Sequence, residues 1–175
     1  NIDFNQLTCI DFSKHRITKM APSVFKKFNM ENKSINLVNG TIEQYFKKNK
    51  NIKFDLIFMC KSFHHFPTPN YLLRLVKERL NKNGSIIIIG EPYHGFINSI
   101  NVFIKNIIKY IINYKKFRND YFFYELLFGV LLKDKKKGDV HWSIQTYKKI
   151  FKKNNFMIEN LDVKRSEKTV SFHLK

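Results

Sequence analysis

The stretch over residues 54–92 constrains the fold more than any other part of the chain. Residues 54–59 form an apolar run, and residues 72–80 then place apolar side chains at helical spacing. Asn83-Gly84 is predicted to end this helix before a second apolar run over residues 86–89. Two short apolar strands around one amphipathic helix indicate parallel strands that are buried on both faces. We therefore expect an α/β fold, with ligands beyond the carboxyl ends of the strands.

The same alternation of strand and helix precedes this unit. Residues 7–10 form a predicted strand that ends in Asp11, and the helix after it contains Pro22, which predicts a kink or a break. Residues 35–38 form the next predicted strand, and Thr41 begins a short helix. Two more strand–helix repeats are thus expected before residue 54.

The C-terminal half follows a different pattern. Residues 96–137 are expected to form a mainly helical insertion, with helix continuing to Leu132 and a polar loop over residues 133–139. Ser143 is predicted to cap a helix, and residues 157–163 and 169–174 to form a closing antiparallel pair of strands. We expect a single domain over residues 1–175.

Composition narrows the class of protein. A chain of 175 residues has room for one domain. Cys9 and Cys60 each lie in an apolar run, which favours small buried residues of a reducing compartment over a disulfide framework. The pattern of a signal peptide is absent, and so is an uncharged stretch long enough to cross a membrane. We therefore predict a cytoplasmic protein without a membrane span.

The net charge of +18 raises the question of a nucleic-acid partner. The lysines are spread along the chain in pairs and triplets and accompany no recognition motif. A solvated basic surface is therefore favoured over a nucleic-acid site.

Five segments of the chain, in this order, resemble the class I S-adenosylmethionine-dependent methyltransferases, particularly their small-molecule branch. They are LTCIDFS, INLVNGT, FDLIFMCKSFHHFPTP, NKNGSIIIIGEP and HWSIQTYKKIFKKNNFMIENLDV. The resemblance implies a Rossmann-like, mostly parallel sheet with helices on both faces and a closing antiparallel strand pair. It also implies transfer of a methyl group from S-adenosylmethionine to an oxygen, nitrogen or carbon atom of a small-molecule acceptor.

The resemblance assigns cofactor-binding roles to five residues. Asp11 would accept hydrogen bonds from the ribose hydroxyls, or would only cap a helix. Thr41 and Ile42 stand where the family contacts adenine, although Thr41 lacks the charge often found there and could serve only as a helix cap. Cys60 and Lys61 fall beside the sulfonium end of the cofactor, where a Cys60 that merely packs is the alternative.

A catalytic role is proposed for His65, since an imidazole can take a proton from an acceptor near neutral pH. In the family the corresponding histidine often packs beneath the active site instead, and His64 is the weaker candidate. Glu91 would orient an acceptor or be an ordinary loop residue. His141 and Trp142 would form either a wall of the pocket or packing at the start of a helix, and packing is favoured. The histidines and cysteines lack the paired spacing of a zinc site, so no metal is expected.

One departure from the family concerns its glycine-rich loop, which would follow a strand ahead of residue 7. Only residues 1–6 precede the first predicted strand, so the chain is either N-terminally truncated, which is the favoured interpretation, or a degenerate relative of the family. Without that central strand the sheet would separate into two half-sheets with hydrophobic edges, and S-adenosylmethionine would bind weakly or not at all. A catalytically dead scaffold protein is the first alternative function, and a nucleic-acid methyltransferase or RNA-binding module is the second.

The insertion carries the last expectation. Residues 96–132 leave the strand just after Glu91, so we predict helices that cover the acceptor side, with Ile104, Ile108 and Phe122 against the strand ends. A dimer interface is the alternative, because a partner can bury an apolar helix equally well. The oligomeric state and the acceptor are left open.

Overall fold

The computed structural model describes residues 4–30, 33–66, 68–93, 104, 108, 132–134 and 139–175. The chain divides into two compact units, Asn1–Ile52 and Lys53–Lys175. The first unit contains β1 (Leu7–Asp11), a π-helical segment (Arg16–Met20), α1 (Ala21–Lys27), β2 (Ile35–Asn39) and α2 (Ile42–Lys48). The second contains β3 (Phe54–Cys60), a 3₁₀ turn (Phe63–His65), α3 (Pro69–Lys77), β4 (Leu80–Pro92), β5 (Leu132–Asp134), β6 (Asp139–His141), α4 (Ile144–Lys153), β7 (Ile158–Lys164) and β8 (Thr169–Leu174).

The first unit is built on two parallel strands. β1 and β2 pair in register from Leu7 opposite Ile35 to Asp11 opposite Asn39. The predicted irregularity at Pro22 is present: the π-helical segment comes immediately before α1, whose first turn contains the proline. A proline has no amide hydrogen to donate to the preceding turn, which is a recognised cause of such a change in helical geometry.

The second unit is a four-stranded sheet in the order β3-β4-β8-β7. β3 and β4 are parallel, whereas β8 is antiparallel to both β4 and β7. The mixed α/β class and the closing antiparallel pair are therefore confirmed. In the described part of the chain, no strand pairing joins β1 or β2 to β3. The parallel strands therefore lie in two sheets. The sequence predicted this grouping.

An aromatic core fills one face of the second unit. The ring of Phe63 is fully buried and lies 5.6 Å from Trp142 and 5.7 Å from Phe151, measured between ring centroids. The ring of Phe151 in turn lies 4.9 Å from that of Phe172 on β8. Tyr147 is buried among the same rings. Rings packed edge-on or tilted at these distances contribute beyond their buried area, so this cluster holds α4 and the turn after β3 on the sheet.

The other face of the same sheet is less covered than the apolar runs predicted. Ile57 and Met59 of β3 are buried, but Phe58 is 56% exposed and Cys60 is also exposed. Successive strand residues point to opposite faces, so Phe58 and Cys60 share the more open side. The expectation that Cys60 is buried is wrong for this reason.

The boundary between α3 and β4 also differs from the sequence prediction. The helix ends at Lys77, and Leu80 already pairs with Phe54 at the start of β4. The register between β3 and β4 shifts near this point, and a side-chain carbon added to Gly84 would stand 2.9 Å from the carbonyl oxygen of Phe54. Gly84 therefore permits a close backbone approach within an irregular strand, and it does not end the helix.

Two short antiparallel strands lie where the sequence predicted the end of a helix and the borders of a polar loop, whose residues 135–138 are outside the described part of the chain. β5 pairs with β6 in antiparallel register, from Leu132 opposite His141 to Asp134 opposite Asp139. Pairing of this kind depends on the partner strand, which local hydrophobic spacing does not reveal.

The C-terminal end of α4 is tied to α3 by one lysine. The ammonium group of Lys77 donates to the carbonyl oxygens of Asn155 at 2.8 Å and of Asn154 at 3.3 Å, and it lies 4.9 Å from the ring centroid of Phe156. A cation at this end of a helix satisfies carbonyls that have no partner in the helix and also favours the helix dipole.

We expect Lys77→Met, which keeps the apolar stem, to lower the free energy of unfolding by about 1 kcal/mol, because these contacts to the ammonium group are lost. Urea denaturation followed by circular dichroism measures the change. Lys149→Met on the exposed side of α4 is the matched control and should change stability by less than about 0.5 kcal/mol. Equal losses in the two variants would contradict the assigned role of Lys77.

Among the described residues, no helix is both long and apolar enough to cross a bilayer.

Candidate functional site

The carboxyl ends of β1 and β2 lie side by side in the first unit. Asp11 and Asn39 are the last residues of the two strands and stand opposite each other in the register. The side-chain amide of Asn39 donates to the carbonyl oxygens of Asp11 at 3.1 Å and of Phe12 at 2.9 Å. The amide of Gly40 also donates to the Asp11 carbonyl at 3.1 Å. These bonds fix the backbone around Asp11 at the edge of the sheet where ligands bind in open α/β folds.

The Asp11 carboxylate has two partners within its own loop. Oδ1 accepts a hydrogen bond from the backbone amide of Ser13 at 2.7 Å, and Oδ2 lies 3.3 Å from Nη1 of Arg16. The first contact is an Asx-type turn that leads into the helical segment. The Asp11 side chain keeps 26% of its surface exposed, and each carboxylate oxygen can accept more than one bond. Asp11 therefore organises its loop and retains the capacity to accept further donors.

Thr41 begins α2 with a reciprocal pair of hydrogen bonds. Its hydroxyl accepts from the amide of Gln44 at 3.3 Å, and its own amide donates to Oε1 of Gln44 at 3.1 Å. This capping box satisfies two donors at the start of the helix. Ile42 follows as the first residue of α2 and is partly buried. The structure thus places Thr41 and Ile42 on the same edge of the first unit as Asp11, with the Thr41 side chain already serving its helix.

The carboxyl ends of β3 and β4 form the corresponding edge of the second unit. Lys61 follows β3 and has a φ of 46°, in the left-handed region that is costly for a residue with a side chain. Its amide donates to the carbonyl of Ile89 at 2.9 Å. Gly90 on β4 has a φ of 69°, and an added side-chain carbon there would come within 3.2 Å of the Lys61 side chain. The backbone conformations of these two residues therefore allow the end of β3 and the end of β4 to lie close together.

Glu91 is the least expected feature of this edge. Its side chain is completely buried, and its carboxylate accepts three hydrogen bonds from backbone amides of the turn after β3 and makes a fourth contact with the ring of His64. Oε1 accepts from the amides of Ser62 at 2.9 Å and Phe63 at 3.0 Å. Oε2 accepts from the amide of His64 at 3.0 Å and lies 2.7 Å from its Nδ1. A buried charge is tolerated only with such partners, so Glu91 joins the end of β4 to the loop after β3.

The two histidines occupy different environments. His64 is buried and paired with Glu91, whereas His65 is exposed. Their ring centroids are 4.0 Å apart. The histidine that packs beneath the edge is therefore His64, and the neighbouring His65 is the one accessible to a ligand in solution.

Among the described residues, Tyr147 and Cys9 have raised pKa values. Burial, reinforced by the negative charge of Glu91, raises the pKa of Tyr147 well above its ordinary value. The protonated phenol donates a hydrogen bond to the carbonyl of Pro92 at 3.0 Å. In the first unit, burial raises the pKa of the Cys9 thiol, which favours its protonated form.

The predicted site residues thus fall at two strand edges, with Asp11, Thr41 and Ile42 at the edge of the first unit and Cys60, Lys61 and His65 at that of the second. Glu91 and Tyr147 complete the second edge, and sequence reasoning had assigned neither a definite partner. The only signal for Glu91 was a carboxylate directly after an apolar run. Nothing in the sequence shows that its donors lie 27 to 29 residues earlier.

Most of the insertion lies outside the described residues. Ile104 and Ile108 are helical and each is 50% exposed, while Phe122 lies outside the described residues. The prediction that residues 96–132 cover the acceptor side therefore concerns a segment that is mostly outside the described part of the chain.

Comparison with known families locates the chain among methyltransferases. A family model described as a methyltransferase domain matches residues 2–88, about half of the chain. Among curated proteins, none matches the sequence significantly.

Solved structures share the fold across nearly the whole chain. A protein of Nostoc punctiforme PCC 73102 assigned as an O-methyltransferase is 13% identical, with a TM-score of 0.57 over 97% of this chain and 43% of its own. The mitomycin 7-O-methyltransferase is 9% identical, with a TM-score of 0.58 over 97% and 41%. The magnesium protoporphyrin IX methyltransferase of Synechocystis PCC 6803, solved with S-adenosylhomocysteine bound, is 12% identical, with a TM-score of 0.54 over 97% and 62%. The chain thus spans less than two thirds of the length of each of these proteins.

Proposed function

Since the chain belongs to the class I S-adenosylmethionine-dependent methyltransferases, we propose that it serves methyl transfer from S-adenosylmethionine to a small-molecule acceptor. The family match and the shared fold support methyl transfer itself. Two of the similar structures are methyltransferases whose names specify mitomycin and magnesium protoporphyrin IX, which supports a small-molecule acceptor. The S-adenosylhomocysteine bound to the latter supports the choice of cofactor.

The position of Asp11 is the observation that carries this proposal. A carboxylate at the carboxyl end of a parallel strand can accept both hydroxyls of a ribose, and the Asp11 side chain is still 26% exposed beside its local bonds. Thr41 and Ile42 would line the adenine side of the same edge. In the family, the cofactor supplies an activated methyl group, so the protein contributes mainly alignment, worth up to about 7 to 11 kcal/mol in favourable cases.

The edge of the second unit would serve the reacting end. Cys60 and Lys61 would contact the amino-acid and sulfonium part of the cofactor, chiefly through backbone groups. His65 would accept the proton of an acceptor hydroxyl or amine, for which an exposed imidazole next to the strand end is suited.

Nuclear magnetic resonance tests this proposal even where binding is weak. On titration with S-adenosylhomocysteine up to millimolar concentration, we expect the amide signals of Asp11, residues 39–42 and residues 60–62 to shift together along one saturable curve. Those backbone groups stand at the strand ends where the ligand would lie.

Adenosine triphosphate is the matched control ligand, since it carries the same adenosine but no amino acid or thioether. We expect it to shift the signals of residues 39–42 at most and to leave those of residues 60–62 unchanged. If S-adenosylhomocysteine shifts neither set, or only lysine-rich surface signals, the proposed function is wrong.

A further inference from the structure

We propose that Glu91 is a positioning residue that presets the loop after β3, by holding three successive backbone amides and by fixing the Nδ1-protonated form of the His64 ring. This inference rests on the proposed function, because the loop concerned is the one assigned to the reacting end of the cofactor. The elements of the argument are the burial of Glu91, the direction of its donors and the contact between the two histidine rings.

The carboxylate has the hydrogen-bonding pattern of an ionised group. Three backbone amides donate to it, two at Oε1 and one at Oε2, and Nδ1 of His64 makes the fourth contact, all at distances of 2.7 to 3.0 Å. An ionised carboxylate only accepts hydrogen bonds, whereas a protonated one would have to donate at one oxygen. The three amides can only donate, so a carboxyl proton could be accepted only at Nδ1 of His64 among these contacts. Three amide donors favour the ionised carboxylate, which leaves the proton on Nδ1.

The donors form an anion-binding concavity made by the chain itself. Successive amides that follow a left-handed residue point toward a common centre, and Lys61 is such a residue, with a φ of 46°. The amides of residues 62–64 come next and meet at Glu91. A loop held in a sparsely populated backbone conformation needs surrounding contacts that determine it, and Glu91 supplies three of them.

The contact with His64 selects one form of the ring. Oε2 of the ionised Glu91 can only accept, so its 2.7 Å contact with Nδ1 places a hydrogen on Nδ1. The ring of His65 stands next in line, with its centroid 4.0 Å from that of His64. Glu91 therefore orients a buried imidazole that in turn supports an exposed one.

Stability alone does not account for a carboxylate at this position. Replacing a buried charged group and its partners by apolar residues of similar volume is often neutral or stabilising, so a buried ionic contact is weak evidence for a stabilising role. Ile88, the nearest fully buried residue before it in β4, is apolar. A carboxylate can fix the positions of the amides and the imidazole at the strand end where the ligand is proposed to bind. An isoleucine side chain cannot do this.

The test compares the native protein with Glu91→Gln. Glutamine keeps the shape and one carbonyl oxygen, but it places an NH₂ group where one carboxylate oxygen had accepted from the amide and from Nδ1 of His64. We expect the His64 ring to carry its proton on Nδ1 in the native protein and on Nε2 in the variant. Long-range proton–nitrogen spectra of the imidazole ring distinguish the two forms. The amide signals of residues 62–64 should move at the same time.

Glu159→Gln is the matched control, because it removes a carboxylate that lies 3.2 Å from another histidine, His173, in the same sheet. It should leave the His64 ring unchanged. Lys77→Met provides a variant whose stability loss arises elsewhere. Binding of S-adenosylhomocysteine, followed at residues 60–62, should weaken about tenfold in Glu91→Gln, the ratio expected for one lost hydrogen bond, and remain unchanged in Lys77→Met.

The outcomes separate the two proposals. If the neutral His64 ring of the native protein carries its proton on Nε2, the proposed role of Glu91 is wrong. The native protein therefore tests the proposal even if Glu91→Gln does not fold. An unchanged ring form and unchanged binding in a folded Glu91→Gln variant also overturn it. If the ring changes as expected while S-adenosylhomocysteine shifts no signal in the native protein, Glu91 holds the loop but the proposed function is wrong.

Discussion

Phe63→Ala is expected to lower the free energy of unfolding by about 3 to 5 kcal/mol, the largest effect of any single substitution considered for this protein. The Phe63 ring is fully buried and contacts the rings of Trp142, Tyr147 and Phe151, so its removal leaves a cavity that these rings cannot all fill. Chemical denaturation with tryptophan fluorescence as the signal measures the loss, because Trp142 itself borders the cavity.

Phe58→Ala removes the same group from β3, where the ring is 56% exposed, and is the matched control. We expect it to cost less than about 1 kcal/mol, since little apolar surface returns to water. Comparable losses in the two variants would show that the aromatic cluster does not form the core of the second unit.

Asp11→Ala is expected to weaken binding of S-adenosylhomocysteine by about 1.5 to 3 kcal/mol, the range for hydrogen bonds to a charged group. This corresponds to a loss of affinity of about ten- to 150-fold. The physical reason is the loss of both acceptors for the ribose hydroxyls. The titration of amide signals at residues 39–42 measures the change. Stability should fall by only about 0.5 to 1 kcal/mol, because the carboxylate also accepts from Ser13 and pairs with an exposed Arg16.

Arg16→Met separates the two roles of the carboxylate. It removes the ion pair at 3.3 Å but leaves Asp11 free to accept from a ligand, so we expect affinity to change less than about threefold. If Asp11→Ala lowers stability and leaves affinity unchanged, the carboxylate serves only its turn, which was the alternative interpretation of this residue from the sequence.

Local features of the chain were predicted well because they depend on residues close in sequence. The helix starts at Thr41 and Ser143 are both made by side chains that accept from an amide three residues later. The same holds for the strand ending in Asp11 and for the irregular helix near Pro22. Hydrophobic spacing and helix capping involve residues within one or two helical turns, so they can be predicted without knowledge of the rest of the fold.

Two features that depend on a partner strand were missed, although the parallel strands and the closing antiparallel pair were predicted correctly. The sequence suggested that Gly84 ends a helix, whereas the structure uses it for a close approach to Phe54 across a register shift. The antiparallel pair of β5 and β6 was likewise expected as a helix end and a loop. In both cases strand pairing overrides the local preference, because the backbone bonds that decide it come from a distant segment.

By itself, the sequence determined the order of strands and helices, the resemblance to methyltransferases and the strand ends at which Asp11, Cys60 and Lys61 lie, because apolar periodicity and turn chemistry are local. Only the tertiary structure decided which side chains at those ends are buried. It exposed Cys60 and His65, and it buried His64 against Glu91. The sequence does not show whether a carboxylate that follows a strand is exposed to water or accepts hydrogen bonds from several backbone amides. Its partners come from a loop brought alongside only when β3 and β4 pair.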